Sequence, residues 1–173
     1  NVERARNALA DDLEVLDGTT RDYAFWDDTY AFLETGNPAY ITSNFVDNTF
    51  LNNRLSLAIL LNANGDVVYA RAFDLTQATE MPLSADAIET LRQGDFPTQV
   101  LASEDGHRRG LIMLATGPML IAMRPVLTSD GQGPPRGVLV MGRALDAELI
   151  ARLGGTLRLT LQAWRWQDSD LPD

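Results

Sequence analysis

The feature that most restricts the fold is a change of hydrophobic period after about the first third of the chain. Across residues 2–33, apolar and aromatic side chains recur every three or four positions, which predicts a long helix. Gly18 lies within this stripe and marks a position where the helix can bend or break, because glycine weakens a helix by about 1 kcal/mol relative to alanine. Gly36 and Pro38 predict the end of the helix, since glycine favours a left-handed cap and proline cannot continue the helix.

After residue 38 the apolar runs become short and are bounded by turn-forming residues, which is typical of strands. Residues 39–51 predict one or two short helical turns, and residues 62–66 carry the Asn-Gly chemistry of a hairpin loop. The predicted strands are residues 55–61, 67–72, 110–116, 119–127, 137–143 and 157–163. Two further helices are predicted, one from a cap at Ser84 to residue 93 and one over residues 147–153, ended by Gly154 and Gly155.

The links between consecutive strands indicate the fold class. They are short, as at Gly117 and Pro118, and short links imply antiparallel pairing. We therefore expect an α+β fold, in which a PAS-like antiparallel sheet of five to six strands carries the long N-terminal helix packed across it. We also expect a single domain over residues 1–173, composed of the helix (1–35), a PAS-like core (36–163) and a C-terminal tail (164–173).

The composition excludes several classes of function. The chain has 14 basic and 24 acidic residues and a formal charge of −10, so the cationic contacts that nucleic-acid binding requires are scarce. It has no cysteine and a single histidine, His107, which excludes thiol nucleophiles, disulfides, iron–sulfur clusters and zinc sites built from cysteines or several histidines. The sequence predicts no membrane-spanning segment, no cofactor and no metal site.

Several short motifs, taken in order, carry a resemblance to a known family. They are Asp-Tyr-Ala-Phe-Trp-Asp-Asp-Thr-Tyr (22–30), the segment 40–44, Asp-Val-Val-Tyr (66–69), Arg-Pro-Val-Leu-Thr-Ser (124–129), Gly-Gln-Gly-Pro (131–134) and Gly-Val-Leu-Val-Met-Gly-Arg (137–143). With these motifs, the chain resembles the extracytoplasmic CHASE-type sensor domains of the fourth class over residues 21–161. That class belongs with the Cache and PAS-like sensors.

The resemblance implies a receptor context. Such domains lie between two transmembrane helices of bacterial or archaeal receptors, whose outputs are histidine kinases of two-component systems or enzymes that make or degrade cyclic-di-GMP. It therefore implies a periplasmic or extracellular location, with membrane contact only through helices outside residues 1–173. It also implies binding of a small molecule rather than catalysis, and it does not identify the ligand.

Asp22 and Asp27 are the acidic residues whose positions are most informative. On a continuous helix both lie at the aromatic stripe that contains Trp26 and Tyr30, whereas Asp28 points away, because adjacent residues are about 100° apart. A carboxylate among aromatic rings needs a hydrogen bond, an ion pair or a wet pocket. A structural network is the first interpretation, and ligand contact is the alternative. The candidate partners are the arginines of predicted strands, Arg71, Arg124 and Arg143.

Arg124 is the strongest single candidate for ligand contact. It follows an apolar run in a predicted central strand, and its guanidinium can hold a carboxylate of the protein or of a ligand with two hydrogen bonds. The resemblance implies a pocket on the sheet face between the long helix and the connecting segments. For the aromatic residues, an ordinary core is the alternative to a pocket wall. The candidate ligand-binding residues are Trp26, Asp27, Tyr30, Tyr69, Arg71, Met123 and Arg124.

These features predict a ligand-sensing domain and not an enzyme. Ligand binding would favour one of two arrangements of the long helix and the terminal strand. We also expect a homodimer that pairs through the N-terminal helices, because the apolar stripe of residues 2–16 projects beyond one domain. Two alternatives stay open: a ligand-free dimerisation or protein-interaction module, and an acid-catalysed hydrolase that uses Asp22 and Asp27.

Overall fold

The structure is a computed structural model that describes residues 2–83, 85–93, 95–103 and 106–157. Within these residues, helices precede, interrupt and follow the strands. The helices are α1 (Val2–Ala24), α2 (Asp27–Thr35), α3 (Pro38–Asn44), α4 (Asp47–Asn53), α5 (Ala85–Gln93), α6 (Phe96–Ala102) and α7 (Ala147–Leu157). The strands are β1 (Leu57–Asn62), β2 (Val67–Asp74), β3 (Thr79–Met81), β4 (Arg108–Leu114), β5 (Gly117–Pro125) and β6 (Gly137–Ala144).

The described strands form one antiparallel sheet in the order β3-β2-β1-β6-β5-β4. Strands β1 to β3 pair in chain order, as do β4 to β6. β1 pairs with β6 at the centre, where Ile59 opposes Val140. The expected α+β class, with a long N-terminal helix on a PAS-like antiparallel sheet, is confirmed. The edge strand β3 was not predicted, because its residues are all exposed and show no apolar alternation.

Both faces of the sheet are covered, because successive side chains along each strand point to opposite faces. On one face, Leu16 of α1 packs with Leu60 of β1, and both are fully buried. Leu153 places α7 on this same face. On the other face, Leu91 of α5 packs in a second buried cluster with Ile59. The face that carries α1 is therefore the one that the sequence assigned to the candidate pocket.

The predicted helix over residues 1–35 is two helices, α1 and α2. The break lies at Phe25 and Trp26, and Gly18 stays inside α1. The expectation that Gly18 is the weak point is therefore wrong. The predicted stop is confirmed, since Gly36 caps α2 with a φ of 64°.

Contacts with a distant segment cause this break. The backbone N–H of Leu127 donates to the carbonyl of Ala24 at 3.1 Å, and Phe25 forms a parallel bridge with Leu127. The hydroxyl of Thr29 donates to the carbonyl of Tyr23 at 2.6 Å. Both carbonyls at the end of α1 thus find partners outside the helix, which makes the break stable.

Three other predicted boundaries are wrong. Residues 115 and 116 form the turn before β5, and Gly117 begins that strand with a φ of 128°. Gly154 and Gly155 were expected to end the last helix but lie within α7. Leu149 and Leu153 of α7 pack on the core, and this tertiary burial outweighs the low helix propensity of glycine. Helix α6 also forms where the sequence indicated only the end of the preceding helix.

Some expectations lie outside the described residues. They are the cap at Ser84, the strand at residues 158–163 and the tail at residues 164–173. Leu157, which was expected to begin that strand, is the last residue of α7.

Candidate ligand-binding site

Alternation along β2 places Tyr69, Arg71 and Phe73 on the sheet face that carries α1. The pairing of β2 with β3 sets Phe73 opposite Glu80, so Glu80 is the diagonal neighbour of Arg71. Asp47 begins α4, where a carboxylate interacts favourably with the positive end of the helix dipole. A hairpin edge and a helix start thus bring two carboxylates to one arginine.

Arg71 makes three polar contacts through its guanidinium group. Its Nε donates to Glu80 at 2.9 Å, one terminal nitrogen donates to Asp47 at 2.6 Å, and the other donates to the carbonyl of Phe45 at 2.7 Å. Burial alone would lower the pKa of Arg71, but the Asp47 and Glu80 carboxylates outweigh burial and raise it. The Arg71 side chain is 15% exposed, whereas those of Asp47 and Glu80 are 61% and 65% exposed.

Tyr69 supplies a buried polar group beside Arg71. Its ring lies 5.0 Å from the Phe45 ring. Its hydroxyl oxygen is inaccessible to solvent and has no hydrogen-bond partner among the described residues. Burial raises the pKa of Tyr69 to about 12, although the charge of Arg71 acts in the opposite direction. An unpaired buried hydroxyl costs the fold about 1–3 kcal/mol of stability.

A cavity of about 680 Å³ opens over these side chains, and we call it the Arg71 pocket. Its size falls in the range of about 300–1,000 Å³ that is common for small-molecule sites. Its walls combine aliphatic, aromatic and charged groups. The lining residues are Ile41, Thr42, Phe45, Val46, Asp47, Asn48, Tyr69, Ala70, Arg71 and Glu80.

Trp26 stands outside the Arg71 pocket, at the break between α1 and α2. Its ring is 36% exposed and meets the edges of the Tyr23 and Tyr40 rings at 6.2 and 6.4 Å. Tyr23 in turn lies 5.8 Å from Phe45, which lines the pocket. Trp26 is thus connected to the pocket through other rings and does not form its wall.

Asp27 and Tyr30 contact residues 127–136, the segment between β5 and β6 that we call the strap. The backbone N–H of Ser129 donates to the Asp27 carboxylate at 2.9 Å, and the Asp27 N–H donates to the Ser129 hydroxyl at 3.1 Å. The Tyr30 hydroxyl donates to the carbonyl of Pro134 at 3.1 Å. These contacts join the motif at residues 22–30 to the motifs at residues 124–129 and 131–134. The motifs therefore include residues that hold α2 and the strap together.

Asp22 is exposed on α1, on the opposite side of the helix break from Asp27. The proposed arrangement of these two carboxylates assumed a continuous helix, and the break at Trp26 removes that assumption. The structure also gives the arginines other partners: Arg71 binds Asp47 and Glu80 instead of Asp22 or Asp27. Asp22 and Asp27 therefore lie on different helices.

Arg124 and Arg143 bind buried carboxylates of α1. Arg124 makes two hydrogen bonds to Asp17, one of them at 2.8 Å from its Nε. Arg143 donates to Asp12 at 2.7 Å, and Arg152 of α7 donates to the other oxygen of Asp12. We call these five residues the α1 clamp. Because Asp17 already accepts both hydrogen bonds from Arg124, a ligand carboxylate would have to displace it.

Asp12 is buried within the α1 clamp, and its side chain is 8% exposed. Burial would raise the pKa of Asp12, but hydrogen bonds and charges from Arg152 and Arg143 outweigh burial and lower it. The carboxylate therefore stays ionised between two cations and links α1, β6 and α7.

Met123 is fully buried on the sheet face opposite α1, in the cluster that contains Val140. Because it precedes Arg124 in β5, the two side chains point to opposite faces. Of the seven predicted ligand-binding residues, only Tyr69 and Arg71 line the Arg71 pocket.

A smaller cavity, of about 270 Å³, lies beside α5 on the opposite face. It is lined by apolar side chains such as Leu57 and Leu83, with Asp74 and Asp146 at its edge. Both acids have local structural roles, since Asp74 accepts from the backbone of Thr76 and Asp146 accepts from the backbone of a residue in α7.

The sequence interpretation missed the carboxylates that matter most. Asp12 lies four residues before Leu16, on the same face of α1, and that spacing was the available signal. Asp47 and Glu80 lie 24 and 9 residues from Arg71, outside any motif, so no local signal identified them. Among the described residues, no cluster of acidic or histidine side chains could hold a metal ion.

The architecture defines the class of protein. A six-stranded antiparallel sheet with a long N-terminal helix across one face is the arrangement of PAS-like domains. The sequence pattern of the CHASE4 domain family matches residues 8–164, and the chain therefore belongs to the CHASE4 family. The resemblance seen in the sequence is confirmed. No described helix is long and apolar enough to cross a bilayer.

The chain spans less than two thirds of the length of the relatives it matches first. It is 29% identical over 150 residues to the methanogenesis regulatory histidine kinase FilI of Methanothrix harundinacea, a match that covers 85% of this chain and 17% of FilI. The extracellular domain of a protein described as a histidine kinase superposes with a TM-score of 0.58 at 15% identity, covering 88% of this chain and 57% of the other. A Vibrio parahaemolyticus domain of the sensory box/GGDEF type gives 0.50 at 14% identity, covering 87% and 65%. The structural matches show a shared fold.

Proposed function

We propose that this domain senses a small molecule outside the cytoplasm on behalf of a transmembrane receptor. The receptor output would be a histidine kinase or an enzyme of cyclic-di-GMP metabolism. Membership of the CHASE4 family supports the sensory role. The observation that carries ligand binding is the open Arg71 pocket, whose walls include Tyr69, Arg71 and two exposed carboxylates.

A chain of aromatic rings provides a route from the Arg71 pocket to α1. Tyr69 contacts Phe45 at 5.0 Å, and Phe45 contacts Tyr23 of α1 at 5.8 Å. A ligand that moves Phe45 would therefore act on the end of α1. For the receptor to respond, the ligand must bind one arrangement of α1 more tightly than the other. Flanking membrane helices would carry the shift across the bilayer.

We further propose that α1 pairs with its counterpart in a symmetric homodimer. Val2 and Val15 of α1 are 82% and 60% exposed, and this apolar surface supports a helix–helix contact. Sedimentation velocity of the wild type and of Val15→Glu tests the pairing. A wild type that sediments as a monomer at all concentrations would contradict it.

A thermal-shift screen tests ligand sensing. The compounds are amino acids, carboxylates, amines and divalent cations, and a compound present at 100 times its Kd adds about 2.7 kcal/mol of stability. Thr42→Trp is expected to abolish the shift, because Thr42 is exposed and lines the Arg71 pocket. Ser43→Trp is the matched control, since Ser43 is the next exposed residue and lies outside the pocket.

The outcomes of the screen separate the candidate functions. A compound that stabilises the wild type and Ser43→Trp but not Thr42→Trp supports ligand sensing at the Arg71 pocket. If no compound stabilises the wild type while the α1 dimer forms, the domain is a ligand-free dimerisation module.

A further inference from the structure

We infer that the Arg71 pocket takes a small organic cation, a primary ammonium on a short apolar chain. This inference rests on the proposed function and specifies the chemistry of the same site. It is drawn from the charges, the rings and the free oxygens that line the cavity.

The charges of the pocket leave a negative surplus. Its charged lining residues are Arg71, Asp47 and Glu80, so one positive and two negative groups sum to −1. A monovalent cation neutralises this sum, whereas an anion raises it to −2. The net charge of the whole chain, −10, favours the approach of a cation as well.

Both carboxylates keep an oxygen available for a ligand. Asp47 and Glu80 each use one oxygen to accept a hydrogen bond from Arg71. Their second oxygens accept none from the described part of the chain. Because these side chains are more than half exposed, an ammonium group can reach them without displacing the guanidinium.

Arg71 itself is poorly placed to receive an anion. Its guanidinium already donates to two carboxylates and to the carbonyl of Phe45. It also lies 5.0 and 5.4 Å from the ring centres of Phe50 and Phe73, which hold it in place. An incoming carboxylate would have to compete with Asp47 and Glu80 for the remaining N–H groups.

The walls of the pocket match the rest of such a cation. Phe45 and Tyr69 line the pocket with aromatic rings, which attract cations. Ile41 and Val46 supply apolar surface for a short alkyl chain. The combination selects an alkylammonium over a bare metal ion.

Titration calorimetry with butylammonium chloride and sodium pentanoate tests the inference. The two probes share a four-carbon chain and differ in the sign of the charged group. At equal ionic strength, the wild type is expected to bind butylammonium and not pentanoate. Glu80→Gln is expected to weaken butylammonium binding by up to about 5-fold, because it removes one of the two exposed negative charges.

Glu34→Gln is the matched control. Glu34 is 64% exposed and pairs with Arg136, and Glu80 is similarly 65% exposed and pairs with Arg71. Unlike Glu80, Glu34 does not line the Arg71 pocket. Unchanged butylammonium affinity in this variant, with the loss confined to Glu80→Gln, supports the inference. Equal losses in both variants, or no butylammonium binding to the wild type, overturn it.

The same titrations distinguish the inference from the proposed function. If pentanoate binds the wild type and Thr42→Trp blocks it, the pocket is a sensor site for anions, and only the inference falls. If no compound of the wider thermal-shift screen stabilises the wild type, both the inference and the proposed ligand-sensing function are contradicted.

Discussion

The α1 clamp and the Arg71 pocket are both built from arginines and carboxylates, but arginines are in excess in the clamp and carboxylates in the pocket. In the clamp, Asp12 lies between Arg143 and Arg152, so cations exceed carboxylates. In the pocket, Arg71 lies between two carboxylates. Burial differs in the same way, because the carboxylate of Asp12 is 8% exposed while those in the pocket are more than 60% exposed.

The comparison separates structural ion pairs from groups that can bind a ligand. Every charge of the clamp is saturated by a partner on another element, so it fixes α1 against β5, β6 and α7. The pocket keeps exposed carboxylate oxygens that accept no hydrogen bond from the described residues. A charged residue in a strand is thus a binding candidate only when its neighbours leave capacity for another partner.

Asp12→Ala should lower the unfolding free energy more than any of the other substitutions considered for the clamp and the pocket. It leaves the 5% exposed Arg143 without its carboxylate, and the loss of one partner of a buried pair costs about 3–5 kcal/mol. Urea unfolding followed by circular dichroism measures the change in unfolding free energy. Asp11→Ala is the control, since Asp11 is exposed on the same helix and should stay within about 0.5 kcal/mol of the wild type.

Acidification should weaken the clamp next. The pKa of Asp12 is lowered in the folded state, so its contribution is fully present above its ordinary value of 3.8 and is lost as the pH falls through the lower folded value. The difference in unfolding free energy between the wild type and Asp12→Ala should be constant above about pH 5 and shrink below about pH 4. A difference that persists unchanged in strong acid would show that the Asp12 carboxylate is not the stabilising group.

Tyr69→Phe should have a smaller effect, of opposite sign. It removes a buried hydroxyl that has no partner among the described residues, so the unfolding free energy should rise by about 1 kcal/mol. Thermal unfolding measures the change, and a destabilised variant would show that the hydroxyl has a structural partner.

Asp47→Asn should have the smallest effect on stability. Its side chain is 61% exposed, and an ion pair at that exposure contributes less than about 1 kcal/mol. Urea unfolding beside Asp12→Ala checks this expectation. If Asp47→Asn costs as much as Asp12→Ala, the distinction between the open pocket and the closed clamp fails.

Parts of the site were predictable because they depend on neighbours in the chain. Tyr69 and Arg71 fall on one face of β2 by simple alternation, and the hairpin before them follows from Asn64 and Gly65. The ion pair that Arg124 makes in the structure could not be predicted, because its partner Asp17 lies 107 residues away. The break at Trp26 was hidden for the same reason, since the strap that stabilises it lies about 100 positions further along.

The sequence pattern over a few neighbouring residues determines the helical stripe, the cap at Gly36, the paired strands and the α+β class. These features depend only on backbone geometry and on the spacing of side chains along the chain. The motifs also identified the CHASE4 family. Tertiary structure decided which carboxylate meets which arginine. Asp12 and Arg143 are separated by 131 residues and become neighbours only when α1 packs on the sheet. Burial then encloses this pair in the core, while the two carboxylates beside Arg71 stay exposed.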